Sequence, residues 1–239
     1  MSDNNQMTFL EHMLELRSRL LKVFFSVLLF SVIGYLNSNL IINFLLSPVS
    51  DPQINLQVLK ITSIFSTKLI VSVFFGLVIS FPILIYQFLS FIMPAFDNKL
   101  TLFKIIAFIC VSLFLFIIGL LFGYYILIPF SVNFFKSISI PLLGAIDLNY
   151  TLENYLVYLI WILIISSLVY QLPILILFII KMGIIDIDWL KSNRRYVIVT
   201  FFILSALFTP PDPLSQLMVA LPMIILYEIT IVIARILGE

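Results

Sequence analysis

Charged residues are scarce in this sequence: 13 Lys and Arg and 12 Asp and Glu make up 10% of its 239 residues. An ordinary soluble domain carries about 25%, because its surface needs a polar cover. Hydrophobic residues make up 62% of the chain, which is more than a soluble fold of this size could hide from water. The formal net charge of +1 also argues against nucleic-acid binding, which needs a concentrated basic face.

Cysteine and histidine are almost missing. Cys110 is the single cysteine and lies in an apolar run, so intramolecular disulfides and cysteine-rich metal sites are excluded. His12 is the single histidine, and the sequence places no further ligand at metal-binding spacing from it. Phosphate-binding, zinc-protease and serine-hydrolase motifs are absent as well. We therefore expect neither an enzyme nor a metal or cofactor protein.

Long apolar stretches are what the sequence has instead. Four charge-free intervals contain 27 to 31 residues, which is more than the ~20 residues that cross a hydrocarbon core of ~30 Å. Two later intervals contain only 16 and 15 residues and predict short helices that reach roughly 22 to 24 Å. Because residues 1–6 are polar and charges precede the first interval, we expect no cleavable targeting segment.

The sequence therefore predicts an all-α polytopic membrane protein, a single domain over residues 1–239 whose last two transmembrane helices are short. Six spans are expected, at about residues 23–46, 69–93, 105–130, 154–180, 195–208 and 213–235. An even number of spans places both termini on one side of the membrane. Ten Lys and Arg fall on that side and three on the other, which predicts cytoplasmic termini because cytoplasmic loops are enriched in positive charge.

An amphipathic helix is predicted at about residues 8–20, before the first span. Thr8 and Glu11 have the spacing of a capping box, and apolar residues recur on one side of the helix. Glu15 and Arg19 are four residues apart, the spacing that favours an ion pair on a helix. Two interpretations remain open from these residues alone: a solvated ion pair, or a binding role for Glu15.

Polar residues interrupt the later spans at a few positions. Gln171 stands beside Pro173, and an amide in hydrocarbon needs hydrogen-bond partners. Glu228 is costly near the membrane and serves either structural pairing or function. Pro210 and Pro211 break the chain before the last span because they remove two backbone donors. Asp212 can then cap the sixth helix.

Several segments share the residue pattern of one known family. Residues 12–20 read HMLELRSRL, and residues 82–87 and 91–95 read PILIYQ and FIMPA. The most specific segment is residues 209–216, TPPDPLSQ, followed by Tyr227 and Glu228. Together these segments resemble TatC, the polytopic subunit of the twin-arginine (Sec-independent) protein translocase, and the resemblance extends over nearly the whole chain.

The resemblance implies a receptor and core subunit that binds twin-arginine signal peptides and supports transport of folded proteins driven by the proton-motive force. It implies TatA- and TatB-type single-span partners, a lipid bilayer and a homo-oligomer within the receptor complex, without nucleic acid. The implied location is the bacterial inner membrane, with an organellar membrane as the alternative. The alternative function, a small-solute transporter or channel, would need a continuous polar route, which Gln171 and Glu228 are too few to line.

Site residues follow from the matched motifs. Signal-peptide binding is implied for Glu15, Arg17 and Arg19. Glu15 is the first choice among them, because carboxylates hold guanidinium groups through charge-assisted bonds. The second glutamate of the family falls on Leu100 here, so Asp97 is expected as its substitute. Positions of structural or functional weight in the membrane are expected at Pro48, Phe91, Pro94, Gln171, Pro210, Pro211, Asp212, Gln216 and Glu228.

Overall fold

The computed structural model describes residues 9–47, 55–92, 102–139, 149–208 and 213–236. Helices dominate these residues, which confirms the predicted all-α class. In the first half of the chain they are α1 (Phe9–Leu36), α2 (Ser38–Leu46), α3 (Ile61–Ile92), α4 (Leu102–Phe122), a π-helix (Gly123–Leu127) and α5 (Ile128–Ser139). In the second half they are α6 (Leu152–Val169), α7 (Leu172–Lys181), α8 (Ile187–Ser192), α9 (Arg194–Phe208) and α10 (Pro213–Ile236).

Five stretches of the described chain are long and apolar enough to cross a membrane. They are Leu10–Leu36, Ile61–Ile92, Ile105–Phe134, Leu152–Lys181 and Pro213–Ile236. α9 has 15 residues, about 22 Å at 1.5 Å per residue, and so is the short helix that its charge-free interval predicts. The chain is thus a multi-pass membrane protein.

The first span differs from its prediction at both ends. The amphipathic helix and the first span form one continuous helix, α1, which ends at Leu36 rather than near residue 46. Asn37 follows it, and its side-chain Nδ2 donates to Ile33 O at 3.0 Å. Asparagine side chains compete in this way with the helical backbone, so the chain turns and restarts as α2. The predicted spans were charge-free intervals, and because no charged residue lies near Asn37 the break could not be predicted in this way.

The predicted boundaries of three other spans also change. α3 begins at Ile61, eight residues before its predicted start, and contains Lys68. The third span continues beyond residue 130 through the π-helix and α5. The fourth is divided at Tyr170 and Gln171, because Pro173 cannot supply a backbone donor to the preceding turn.

The prediction that the last helix is short is wrong. α10 has 24 residues, about 36 Å, and continues past Glu228 to Ile236. Glu228 does not end the helix because its Oε2 lies 3.0 Å from Arg194 Nη2, and glutamate is a good helix former. Among the six predicted spans, as far as the described residues show, α9 is the one that is too short to cross a full hydrocarbon core.

The chain divides into two compact units, one of residues 1–41 and 68–113 and one of residues 42–67 and 114–239. In the first unit α1 and α3 pack antiparallel, as shown by the bond of Ser26 Oγ to Ser80 Oγ at 3.0 Å. Gly76 allows this close approach, because a Cβ there would lie 2.6 Å from Val27 O and 2.9 Å from Ser31 N. Small residues at membrane helix contacts commonly have this role.

The second unit has its own apolar core, built mainly from α6, α7, α9 and α10. Tyr227 and Met223 are almost completely buried in it. Gly119 lies against Ser166, whose Oγ donates to Gly119 O at 2.5 Å. Two short strands, β1 (Asn55–Gln57) and β2 (Asn149–Thr151), pair in parallel and join the connection before α3 to the connection before α6.

Candidate binding site around Glu15

Glu15 lies on α1 with its carboxylate held on one side. Arg19 Nε donates to Glu15 Oε1 at 2.9 Å, and Arg19 Nη2 donates to the same oxygen. Arg19 Nη1 reaches across to α3, where it donates to Gln87 Oε1 at 3.3 Å. The predicted Glu15–Arg19 pair is therefore present, and Gln87 ties it to the neighbouring helix.

The second oxygen of Glu15 is in a different situation. Glu15 Oε2 is buried and has no hydrogen-bond partner among the described residues. His12 Nδ1 lies 3.8 Å from this oxygen, which is too far for a hydrogen bond. A carboxylate can accept about four hydrogen bonds, so Glu15 retains capacity for a donor that the described residues do not supply.

An aromatic pair borders this oxygen. The imidazole of His12 stacks on the ring of Phe91, with centroids 4.2 Å apart and planes inclined by 14°. The His12 side chain is 43% exposed, so the ring is not enclosed by the protein. The site thus combines a carboxylate, an arginine and a stacked aromatic pair, drawn from the start of α1 and the end of α3.

The packing of α1 on α3 fixes these groups relative to each other. From the site toward the other end, the contacting pairs are His12 with Phe91, Arg19 with Gln87, and Ser26 with Ser80. Gly34 continues the series, since a Cβ there would lie 3.1 Å from Ser72 O. Residue numbers rise on one helix as they fall on the other, as antiparallel packing requires. The geometry at Glu15 therefore depends on the whole helix pair.

Other predicted site residues are placed less completely. Arg17 is exposed on α1, and no described contact joins it to Glu15. Phe91 belongs to the site through His12. Pro48, Pro94, Asp97, Pro210, Pro211 and Asp212 lie outside the described residues, so the expected second carboxylate is not seen.

Sequence reasoning missed two members of the site. Gln87 is a glutamine in an apolar stretch four residues before Phe91, a signal that marks a polar contact. His12 is four residues before Leu16 and three before Glu15, and residues three apart on a helix are neighbours. Its stacking on Phe91 could not be predicted, because 79 positions separate the two.

The remaining predicted residues lie in the second unit. Gln171 is buried at the break between α6 and α7. Glu228 pairs with Arg194, so a structural role is present whatever else it does. Gln216 Nε2 on α10 donates to Phe202 O on α9 at 2.9 Å. It borders an otherwise apolar groove with Val199, Phe202, Ile203, Ala206 and Leu207.

Comparison with known proteins decides the family. The sequence profile described as "Sec-independent protein translocase protein (TatC)" matches residues 11–222. The chain belongs to the TatC family. A TatC of Desulforapulum autotrophicum is 34% identical over 234 residues, covering 97% of this chain and 85% of the relative. The TatCy protein of Bacillus subtilis is 35% identical, with coverage of 97% and 90%.

Solved structures agree with the family. A crystal structure titled as the twin arginine translocase receptor TatC superposes with a TM-score of 0.82 at 28% identity, covering 96% of this chain and all of that one. A second TatC crystal structure, obtained in the detergent DDM, gives the same TM-score at 29% identity. The chain is accordingly a TatC-family component of the twin-arginine protein transport system, a multi-pass protein that fits the bacterial inner membrane.

Proposed function

We propose that this chain is the receptor subunit of a twin-arginine translocase and that Glu15 binds an arginine of the signal peptide. The observation that carries the proposal is the difference between the two oxygens of its carboxylate. Arg19 occupies Oε1, while Oε2 is buried and has no hydrogen-bond partner in the described part of the chain. A buried acceptor without a donor is costly, and a guanidinium would supply the missing donors.

The proposed chemistry assigns different work to the two arginines of α1. Arg19 is a positioning residue, since it fixes the orientation of the Glu15 carboxylate and is itself held by Gln87. Arg17 is exposed on the same helix and contributes, in this proposal, to the binding surface around the signal peptide. The signal guanidinium takes Oε2 through a charge-assisted bond, which is stronger than a neutral one.

A signal peptide with two arginines needs a second acceptor. Gln87 Oε1 lies at the site, but Arg19 already donates to it. We therefore keep Asp97 as the proposed partner of the second arginine, on the strength of its place in the sequence after Phe91. The variant Asp97→Asn tests this assignment, because it removes a charge and keeps the side-chain shape.

The test of the Glu15 site is peptide binding to purified full-length protein in detergent or nanodiscs. Fluorescent signal peptides carrying Arg-Arg or Lys-Lys are titrated against wild type and Glu15→Gln. Loss of a charge-assisted bond of about 1.5–3 kcal/mol predicts roughly 10- to 100-fold weaker binding of the Arg-Arg peptide. Glu11→Gln on the same helix is the matched control. Undiminished binding by a folded Glu15→Gln protein would remove Glu15 from the site.

We further propose six transmembrane helices within one domain of residues 1–239, with both termini in the cytoplasm. Support comes from the five long spans together with α9, which at 15 residues is the proposed fifth crossing. Single cysteines in a Cys110→Ser background test this arrangement. A cysteine at Gly183 should react only with reagent admitted to the cytoplasmic side, and one at Val58 only with reagent outside. The opposite labelling would contradict the proposal.

The partners proposed are TatA- and TatB-type single-span proteins, in a complex that also contains further copies of this chain. The groove on α9 and α10 supports such docking, because Val199, Ile203 and Leu207 are all more than half exposed along one side of a short helix. Gln216 adds a polar group beside it, and an interhelical hydrogen bond within a membrane adds specificity to apolar contact. In this proposal the complex transports folded proteins at the expense of the proton-motive force and catalyses no covalent chemistry.

A further inference from the structure

His12 lies between Phe91 of α3 and the carboxylate of Glu15 on α1. One face of its imidazole lies against Phe91, with centroids 4.2 Å apart. Its Nδ1 lies 3.8 Å from Glu15 Oε2, the buried oxygen without a hydrogen-bond partner in the described chain. The ring remains 43% exposed. His12 therefore borders one approach to Oε2, and a donor group that uses it lies against the imidazole.

We infer that His12 is a specificity-determining residue of this site. A neutral His12 allows a guanidinium to bind Glu15, and a protonated His12 weakens that binding. The inference rests on the proposed binding role of Glu15. A neutral imidazole offers a flat aromatic surface on which a planar guanidinium can stack while it donates to Oε2. An imidazolium ion carries the same charge as the ligand and competes for the same oxygen.

The geometry makes that competition short-range. Shortening the distance from 3.8 Å to a charge-assisted hydrogen bond of about 2.8 Å needs a side-chain movement of about 1 Å. His12 and Glu15 are three residues apart on α1, so they already share a helix face. Oε1 is held by Arg19, so an imidazolium at His12 and the guanidinium of the ligand would compete for Oε2.

Among the described residues of α1 and α3, the charged groups near His12 lie on its own helix. Glu11, Glu15 and Arg19 are the charged residues of α1 within seven positions of it on the described chain, besides the exposed Arg17. On the described part of α3, the neighbouring Gln87 and Phe91 are uncharged, as is the exposed Tyr86. Lys68, the one charged residue of that helix, is 23 residues before Phe91, about 35 Å along the axis.

The direction of the pH effect follows from the charges. Histidine side chains gain a proton as pH falls from about 8 to about 5. Over that range an arginine ligand stays charged. The imidazolium both occupies Glu15 Oε2 and repels the guanidinium, so the two effects have the same sign. Binding of a twin-arginine peptide should therefore weaken as pH falls.

The experiment measures the affinity of full-length protein in nanodiscs for the fluorescent Arg-Arg signal peptide at about pH 8 and about pH 5.5. Wild type should bind roughly tenfold more weakly at the lower pH, a size set by two like charges that are partly screened by water. His12→Phe keeps a ring for stacking on Phe91 but cannot be protonated, so its affinity should change less than about twofold. His12→Lys places a permanent cation beside Oε2 and should bind weakly at both pH values.

Three results would overturn the inference: no weakening in wild type, an equal weakening in His12→Phe, or tight binding by His12→Lys. Should His12→Phe fail to fold, His12→Gln replaces it as the neutral variant. Glu15→Gln separates the two levels of the argument. If it binds at pH 8 like wild type, the receptor site itself is misplaced, whereas loss of binding there with no His12-dependent pH effect refutes only the role of His12.

Discussion

Gly76→Ala is the substitution that most directly tests how the α1–α3 packing supports the site. The added Cβ would lie 2.6 Å from Val27 O and 2.9 Å from Ser31 N, against at least 3.4 Å for an ordinary contact. These are backbone atoms of α1 and cannot rotate away, so the helices must separate by about 0.8 Å. The loss from overpacking is about 1–3 kcal/mol, and the better helix propensity of alanine returns about 1 kcal/mol.

The net prediction is a loss of up to about 2 kcal/mol in the free energy of unfolding. The Arg19–Gln87 bond should break as well, because its length of 3.3 Å is already near the limit. Unfolding in a graded detergent titration measures the first effect, and binding of the Arg-Arg peptide measures the second. Gly34→Ala is the milder comparison on the same helix pair: its Cβ would lie 3.0 Å from the Phe75 side chain and 3.1 Å from Ser72 O, so a much smaller separation of the helices relieves it. A Gly76→Ala protein that matches wild type in both stability and peptide binding would refute the reasoning.

Three further predictions concern the second unit. Tyr227→Phe removes the buried bond from Tyr227 Oη to Leu190 O at 2.8 Å and should lower the free energy of unfolding by about 1 kcal/mol; Tyr196→Phe, an exposed tyrosine, is the control in the same titration. A 15-residue helix such as α9 is shorter than the hydrocarbon core, so the bilayer around it is expected to thin locally. Adding one turn of leucines within α9 removes that mismatch and should reduce transport of a folded reporter while signal-peptide binding persists; unchanged transport would argue against a role for thinning. Gln216→Leu should reduce crosslinking of a TatB-type partner to Ile203. If this variant crosslinks as efficiently as wild type, the partner docks elsewhere.

Hydropathy and charge spacing predicted much of the fold, because helices that face lipid must consist mainly of apolar, uncharged residues. The all-α class, the location of the apolar helices and the short length of α9 all follow from where charges are missing. The spacing of Glu15 and Arg19 also predicted their contact correctly. These features are local, since each depends on residues within one helix.

Features that depend on particular side-chain hydrogen bonds were not predictable in the same way. The break at Asn37 depends on a side-chain bond to Ile33 O, which hydropathy does not register. Gln87 and Arg19 are 68 positions apart in the sequence, so no local pattern predicts that they are in contact. The bounds predicted for the last span, 213–235, agree with α10 to within one residue. Only its description as short was wrong, because Glu228 lies inside the helix, where it pairs with Arg194.

The contact of Gly76 with α1 has an evolutionary consequence. A larger residue at position 76 is compatible with the same helix pair only if the facing backbone at Val27 and Ser31 moves. Descendants of this chain should therefore replace Gly76 together with changes on α1, and rarely alone. The position of Glu15 depends on that packing, so under the proposed function selection on signal recognition would extend to residues that never touch a signal peptide. Inheritance of the proposed receptor site would then follow a pair of helices rather than a motif.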